Sequence, residues 1–147
     1  MALRKDSDFM RAAFCIDDMG GILFGGRRVS ADSAVFDDLK TLYTKKLYVT
    51  PFSVGLMQRY GIEYVSADNI FDAAEDDDMI FAENISLATH LKDLSEIIVY
   101  RWNRRYPSDF KTDIDFSALI LTDSRDFKGT SHDKITRNIY KKPKFTK

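Results

Sequence analysis

Residues 46–53 read Lys46-Leu47-Tyr48-Val49-Thr50-Pro51-Phe52-Ser53, and their order decides the fold class. Leu47, Tyr48, Val49 and Thr50 suit a short strand. Pro51 then fits the first turn of a helix, where its missing N–H costs no hydrogen bond. That helix is expected to run to about Tyr60 and to stop at Gly61, a residue free to turn left-handed. A strand that hands over directly to a helix is the unit of a parallel sheet, because parallel strands need a crossover between them.

The same alternation continues on both sides. Upstream, Ser30 or Asp32 can cap a helix reaching about Lys45, with Val35, Phe36, Leu39, Leu42 and Tyr43 at helical spacing. Downstream, a strand at 62–65, a short helix at 67–74, a buried strand at 79–82, a helix at 85–94 and a strand at 97–102 follow. A short apolar run at 9–16 reads as a buried first strand. Between Asp17-Asp18-Met19-Gly20-Gly21 and Gly25-Gly26 lies Ile22-Leu23-Phe24. It is either a hairpin with a glycine turn or a loop tied down between two glycine pairs over a ligand. The acidic run Glu75-Asp76-Asp77-Asp78 reads as a solvated turn. Pro107 ends the strand before it, and another strand is expected at 118–122 with no helix between. Residues 135–140 fit a short helix with Ile135 and Ile139 on one face, or an edge strand; the helix is preferred. The fold class is therefore α/β, with a mostly parallel central sheet covered by helices and antiparallel C-terminal strands.

The 147 residues fit one domain, with a short polar N-terminal segment and a basic tail at Lys141-Lys142-Pro143-Lys144. With 44% hydrophobic and 31% charged residues, the composition is that of an ordinary globular chain. A net charge of −1 argues against whole-molecule attraction to nucleic acid or anionic lipid. A single cysteine, Cys15, excludes an intramolecular disulfide and fits a reducing compartment. No signal-peptide core and no membrane-spanning run stand in the sequence, so a cytoplasmic location is expected. Cys15 reads as a small buried hydrophobe rather than a reactive thiol.

In open α/β sheets, ligands bind beyond the carboxyl ends of parallel strands. Those ends carry Asp17 and Asp18, then Thr50 and Ser53, then Glu83 and Asn84, then Trp102, Asn103 and Arg104. Arg27 and Arg28 precede a helix and are either an anion grip or surface charges. The run Tyr100-Arg101-Trp102-Asn103-Arg104-Arg105-Tyr106 suits stacking on a base or pterin-like ring, or a half-buried strand with its arginines outside. Ser131-His132-Asp133 invites a triad reading, but neighbours in sequence seldom converge as a triad, and a turn or cap at Ser131 explains the segment better. No metal-ligand spacing, P-loop or dinucleotide fingerprint is present.

Two resemblances follow from these residues. Asp32 and Phe36 keep the spacing of the acid and the Phe in the loop-to-helix stretch of dihydrofolate reductases, and the segments 46–53 and 79–82 resemble two strands of that family. The resemblance implies that Asp32 holds a pterin-like ring and supports protonation, making it the candidate catalytic residue, and that Phe36 packs on the ring. The chain departs from the family where Arg27 and Arg28 replace a tryptophan, where Thr50-Pro51-Phe52-Ser53 replaces the cofactor turn, and where Glu83-Asn84 replaces a glycine pair that lets backbone approach a pyrophosphate. Gly25-Gly26-Arg27-Arg28, Tyr100-x-Trp102-Asn103-Arg104-x-Tyr106-Pro107 and Phe127-x-Gly129-x-Ser131-His132 are similar to a family of small bacterial proteins, some labelled ribonuclease Z. Two histidines without the His-x-His-x-Asp-His motif cannot build that enzyme's two-zinc site.

The expected function is binding of a small anionic or heteroaromatic ligand without NADPH-dependent reduction. Asp32 would anchor a ring nitrogen or act as a general acid with a raised pKa. Phe36 or Trp102 would stack, and Arg27, Arg28 or Arg104 would hold negative charge, beside Ser53, Glu83, Asn84 and Asn103. The alternatives are a divergent NADPH-dependent reductase and a nucleic-acid or protein-binding module. Cofactor and oligomeric state do not follow from these residues.

Overall fold

The computed structural model describes residues 10–143, so the polar N-terminal segment and Lys144 of the basic tail lie outside the described residues. Among the described residues ten strands form two sheets, accompanied by three short α-helices. The chain runs β1 (Met10–Ile16), β2 (Gly21–Phe24), β3 (Arg27–Arg28), α1 (Ser33–Leu39), β4 (Leu47–Val49), α2 (Val54–Arg59), β5 (Val65–Ser66), α3 (Ile70–Ala73), β6 (Met79–Phe81), β7 (Leu94–Arg101), β8 (Phe110–Lys111), β9 (Ile120–Phe127) and β10 (Ile135–Lys141). The main sheet has the order β5-β4-β6-β1-β7-β10-β9, and a small sheet has the order β3-β2-β8. Pairing is parallel from β5 through β7 and antiparallel across β7, β10 and β9.

The apolar runs of β1, β6 and β7 follow from burial on both faces. Ala12, Phe14, Ile80, Ile97 and Val99 face one core cluster, which also holds Ile70 and Leu87. Ala13, Phe81, Ile98 and Tyr100 face the other, which holds Val35, Phe36 and Leu39 of α1 and Leu56 and Met57 of α2. The second face carries the site.

Several elements differ from the sequence expectation. Residues 135–140 lie in strand β10 rather than a helix, and β10 is inserted between β7 and β9. Two of its buried polar side chains are paired, Arg137 with Asp38, 99 positions away, and Asn138 with Ser124 of the neighbouring strand, so partners outside the segment stabilise it. The last strand before it spans Ile120–Phe127, not 118–122, because pairing with β10 carries it through exposed polar residues. Helix α1 ends at Leu39 instead of near Lys45; the Thr41 hydroxyl donates to the Asp38 carbonyl at 2.6 Å and closes the last turn. The strand expected at 62–65 shrinks to Val65–Ser66, since the Ile62 N–H is spent on the Met57 carbonyl at the end of α2, where Gly61 turns with φ +64°. The expected helix at 67–74 is the single turn α3, and that at 85–94 is a 3-10 turn over Ala88–Asp93, whose entry is capped by Asp113 accepting from the Leu87 and Ala88 N–H groups.

Of the two readings of 22–24, the hairpin is present: β2 pairs with β3 across Gly25 and Gly26, both at positive φ. Asp17 fastens its base. One carboxylate oxygen accepts from the Met19 and Gly21 N–H groups and the other from the Tyr106 N–H. Burial alone would raise the Asp17 pKa, but these three donors outweigh it and hold the carboxyl below its usual range.

Candidate functional site at the strand ends

Strands β4, β6, β1 and β7 lie side by side and parallel, so their carboxyl ends meet at one rim. A pocket opens there under α1. Cys15 comes from β1, Phe81 and Glu83 from β6 and its exit, and Trp102 from the end of β7. Asp32, Val35 and Phe36 come from the start of α1. Ile22, Arg28, Ser30 and Ala31 of the hairpin and the loop behind it close the side. The cavity volume is about 10 Å³, room for about one water.

Asp32 is 1% exposed and caps α1 by accepting from the Ala34 N–H. Its Oδ1 also accepts from the Thr130 N–H and hydroxyl. Its Oδ2 accepts from the Ser131 N–H and hydroxyl and faces His132 Nδ1 at 2.8 Å. Burial pushes this carboxyl up, and the donors from Thr130, His132, Ser131 and Ala34 outweigh it, so its pKa falls well below the ordinary carboxylate range. A raised pKa, needed for the expected general-acid role, is therefore absent. With both oxygens already accepting three contacts, no lone pair is left for a ring nitrogen.

His132 is the main site residue that sequence reasoning missed. Ser131 Oγ stands 3.2 Å from His132 Nδ1, but on the same side of the ring as Asp32, and Asp133 is exposed, so the three neighbours form no local triad. The ring instead bridges Asp32 at Nδ1 and Ser30 Oγ at Nε2, each 2.8 Å away. The indole of Trp102 lies on its face, with ring centroids 4.5 Å apart and planes 22° apart. The Tyr106 hydroxyl stands 3.3 Å from Nε2 and donates to Ser30 Oγ at 3.4 Å. Gly129 makes room for this cluster, because a Cβ there would lie 2.5 Å from Asp32 Oδ2. A turn rich in Gly, Thr and Ser marks the 129–132 segment in sequence, but nothing in it points to residues 30 and 32.

Glu83 is 6% exposed and bound within the site. Arg28 donates to it twice, Nε at 2.8 Å and a terminal nitrogen at 2.9 Å, and the Ser53 hydroxyl donates at 2.7 Å. That bidentate bond raises the Arg28 pKa further. The Arg28 guanidinium also lies 5.4 Å from the Phe52 ring centroid. Burial, then the Glu83 charge, push the Cys15 thiol well above its ordinary value, so it is a protonated, half-buried wall residue.

The structure thus brings Arg28, Asp32, Phe36, Glu83 and Trp102 around one pocket. Ser53 lies behind it, fully buried on Glu83. Asn84 is exposed and accepts from the Thr50 hydroxyl. Asn103 is exposed with φ 59° and donates to the Lys134 carbonyl and the Thr136 hydroxyl. Arg27 and Arg104 are exposed and do not line the pocket. Trp102 is 2% exposed, so its face is not open for stacking on a nucleic-acid base. Among the described residues no group of three or more His, Cys, Asp or Glu side chains is placed to hold a metal ion, and no helix is long and apolar enough to cross a membrane.

The sheet order and the pocket at the parallel strand ends are those of an α/β fold, and the comparison with solved structures gives it a dihydrofolate-reductase-like architecture. Among solved structures the chain is similar to dihydrofolate reductase from Enterococcus faecalis complexed with NADP(H) and RAB-propyl, with a TM-score of 0.67 over 94% of this chain and 98% of that one. Sequence identity is 11%, so the likeness is one of fold. No protein-family model matches the chain, and no curated protein matches its sequence.

Proposed function

We propose that the protein binds a small, flat, heteroaromatic ligand, neutral or cationic, in the strand-end pocket and does not act as an NADPH-dependent reductase. The observation that carries this reading is the pocket itself, with Phe36, Phe81 and Trp102 as walls at the meeting of three parallel strand ends. Its charges favour that ligand class over an anion. Asp32 and Glu83 are negative, and Arg28 is already bound to Glu83. The Glu83 side chain, held after β6 by Arg28 and Ser53, also obstructs close approach of a pyrophosphate to the backbone there. Entry of a ring requires the side formed by Ile22, Arg28 and Ala31 to move outward, since the closed space is small.

A thermal-shift screen with NADPH, pterins, neutral and cationic purines and pyrimidines, and a short RNA tests this. At about 100 times Kd a ligand adds about 2.7 kcal/mol, a rise in Tm of about 5 °C or more. The expected result is such a rise with an uncharged or cationic heterocycle and none with NADPH. A rise with NADPH would establish the reductase reading instead. A rise with RNA alone, lost on adding salt, would point to a nucleic-acid module.

A further inference from the structure

We infer that Ser30, His132 and Asp32 are the nucleophile, general base and positioning anion of an acyl-transfer site that takes a small uncharged aryl ester. This rests on the strand-end pocket being a ligand site. Ser30 is half-buried and lines that pocket beside Phe36 and Trp102, where an ester meets it once the wall of Ile22, Arg28 and Ala31 has moved outward. Its Oγ is 2.8 Å from His132 Nε2, and His132 Nδ1 is 2.8 Å from Asp32 Oδ2. An ionised carboxylate only accepts, so in the neutral imidazole the proton sits on Nδ1 and the Nε2 lone pair faces the serine hydroxyl. That is the order a serine nucleophile requires, reached here from residues 102 and 100 positions apart rather than from neighbours. Asp32 and His132 are 1% and 5% exposed, so the base is shielded while the serine meets the pocket.

The step balances without a metal or redox partner. Ser30 Oγ bonds to the ester carbonyl carbon while its proton passes to His132 Nε2, and the carbonyl π pair moves onto oxygen. The Tyr106 hydroxyl, 3.4 Å from Oγ, donates to that oxygen. The pair returns, the bond to the aryl oxygen breaks, and the leaving phenol takes the proton from Nε2. Water then attacks the acyl group on Ser30 by the same route, giving a carboxylic acid and restoring the hydroxyl.

The test uses the full chain, a fluorophosphonate probe with peptide mapping, and p-nitrophenyl acetate turnover. One adduct is expected, on Ser30; Ser30→Ala abolishes it, and His132→Gln slows it by about 100-fold or more. Asp32→Asn is expected to lower kcat by a similar factor at unchanged KM, which mere loosening of the fold would not do. Circular dichroism and melting confirm that each variant is folded. No adduct on Ser30 of the folded wild-type chain, or labelling of folded His132→Gln at the wild-type rate, would overturn the assignment and leave the cluster a structural clasp. Binding of the unreactive amide p-nitroacetanilide, read from Trp102 fluorescence, separates the two readings. Amide binding with an unlabelled Ser30 contradicts the nucleophile alone, and neither signal contradicts the pocket as well.

Discussion

A methyl group at position 129 would lie 2.5 Å from Asp32 Oδ2 and 2.9 Å from the His132 carbonyl oxygen, both fixed by other bonds. Gly129→Ala is therefore expected to cost about 1–3 kcal/mol, as overpacking does; urea unfolding reads it. The same carboxylate sets an acid limit. Asp17, Asp32 and Asp113 all have folded pKa values below the ordinary value, which is about 3.9 in the unfolded chain. For such groups the stabilisation is present above the unfolded pKa and is lost as pH falls through the folded pKa. These three carboxyls should thus add no slope to the melting temperature between about pH 7 and pH 5 and a steady loss below about pH 4; no fall in melting temperature between about pH 4 and pH 2 would contradict these bonds. At this scale the sequence was half legible. Asp32 and Phe36 were marked by their spacing before and within a helix. The role of Asp32 was not, because it is set by donors from Thr130, Ser131 and His132, about a hundred positions along the chain.

Helix α1 is held to the C-terminal hairpin by charge as well as by packing. Asp38 is 8% exposed and accepts from Arg137, Arg125 and the Tyr100 hydroxyl at 3.0, 3.3 and 2.7 Å. Burial, and the adjacent Asp38 charge, push the Tyr100 pKa far up, so the phenol stays a donor. Removing the Asp38 charge leaves the buried Arg137 with only the half-exposed Asp123 as its counter-ion. Asp38→Asn should cost about 3 kcal/mol, whereas Asp37→Asn on the exposed neighbour should stay within about 0.5 kcal/mol; denaturant midpoints compare them. Equal effects would mean that the cluster does not anchor the helix. This pairing also explains the misread strand at the C-terminus. Ile135 and Ile139 satisfy a helical spacing, and Arg137 and Asn138 look like an outward polar face until Asp38 and Ser124 are placed against them. The middle elements were legible because their signals are local: Pro51 at a helix start, Gly61 at its end, and apolar runs long enough for a strand only.

Across the whole molecule, the parallel core β4-β6-β1-β7 is buried on both faces, while β9 is an exposed edge. Amide exchange should be slowest in β1, β6 and β7 and much faster in the outward half of β9; uniform protection would contradict this layering. Such a core follows from strand–helix alternation, so the fold class could be read from the chain. The pocket could not, because its contents depend on which loop lands at the strand ends. Glu83 illustrates this: its position after a strand suggests a repulsive carboxylate, yet Arg28 and Ser53 bind it and make it part of the wall. The sole tryptophan, Trp102, lies in that wall against His132 and reports on the site directly. The most direct measurement is a fluorescence titration of Trp102 with the heterocycle that raises the melting temperature. The account requires a saturable change in Trp102 emission at the same concentration range; a stabilising ligand that leaves Trp102 unchanged would bind elsewhere and contradict a strand-end site.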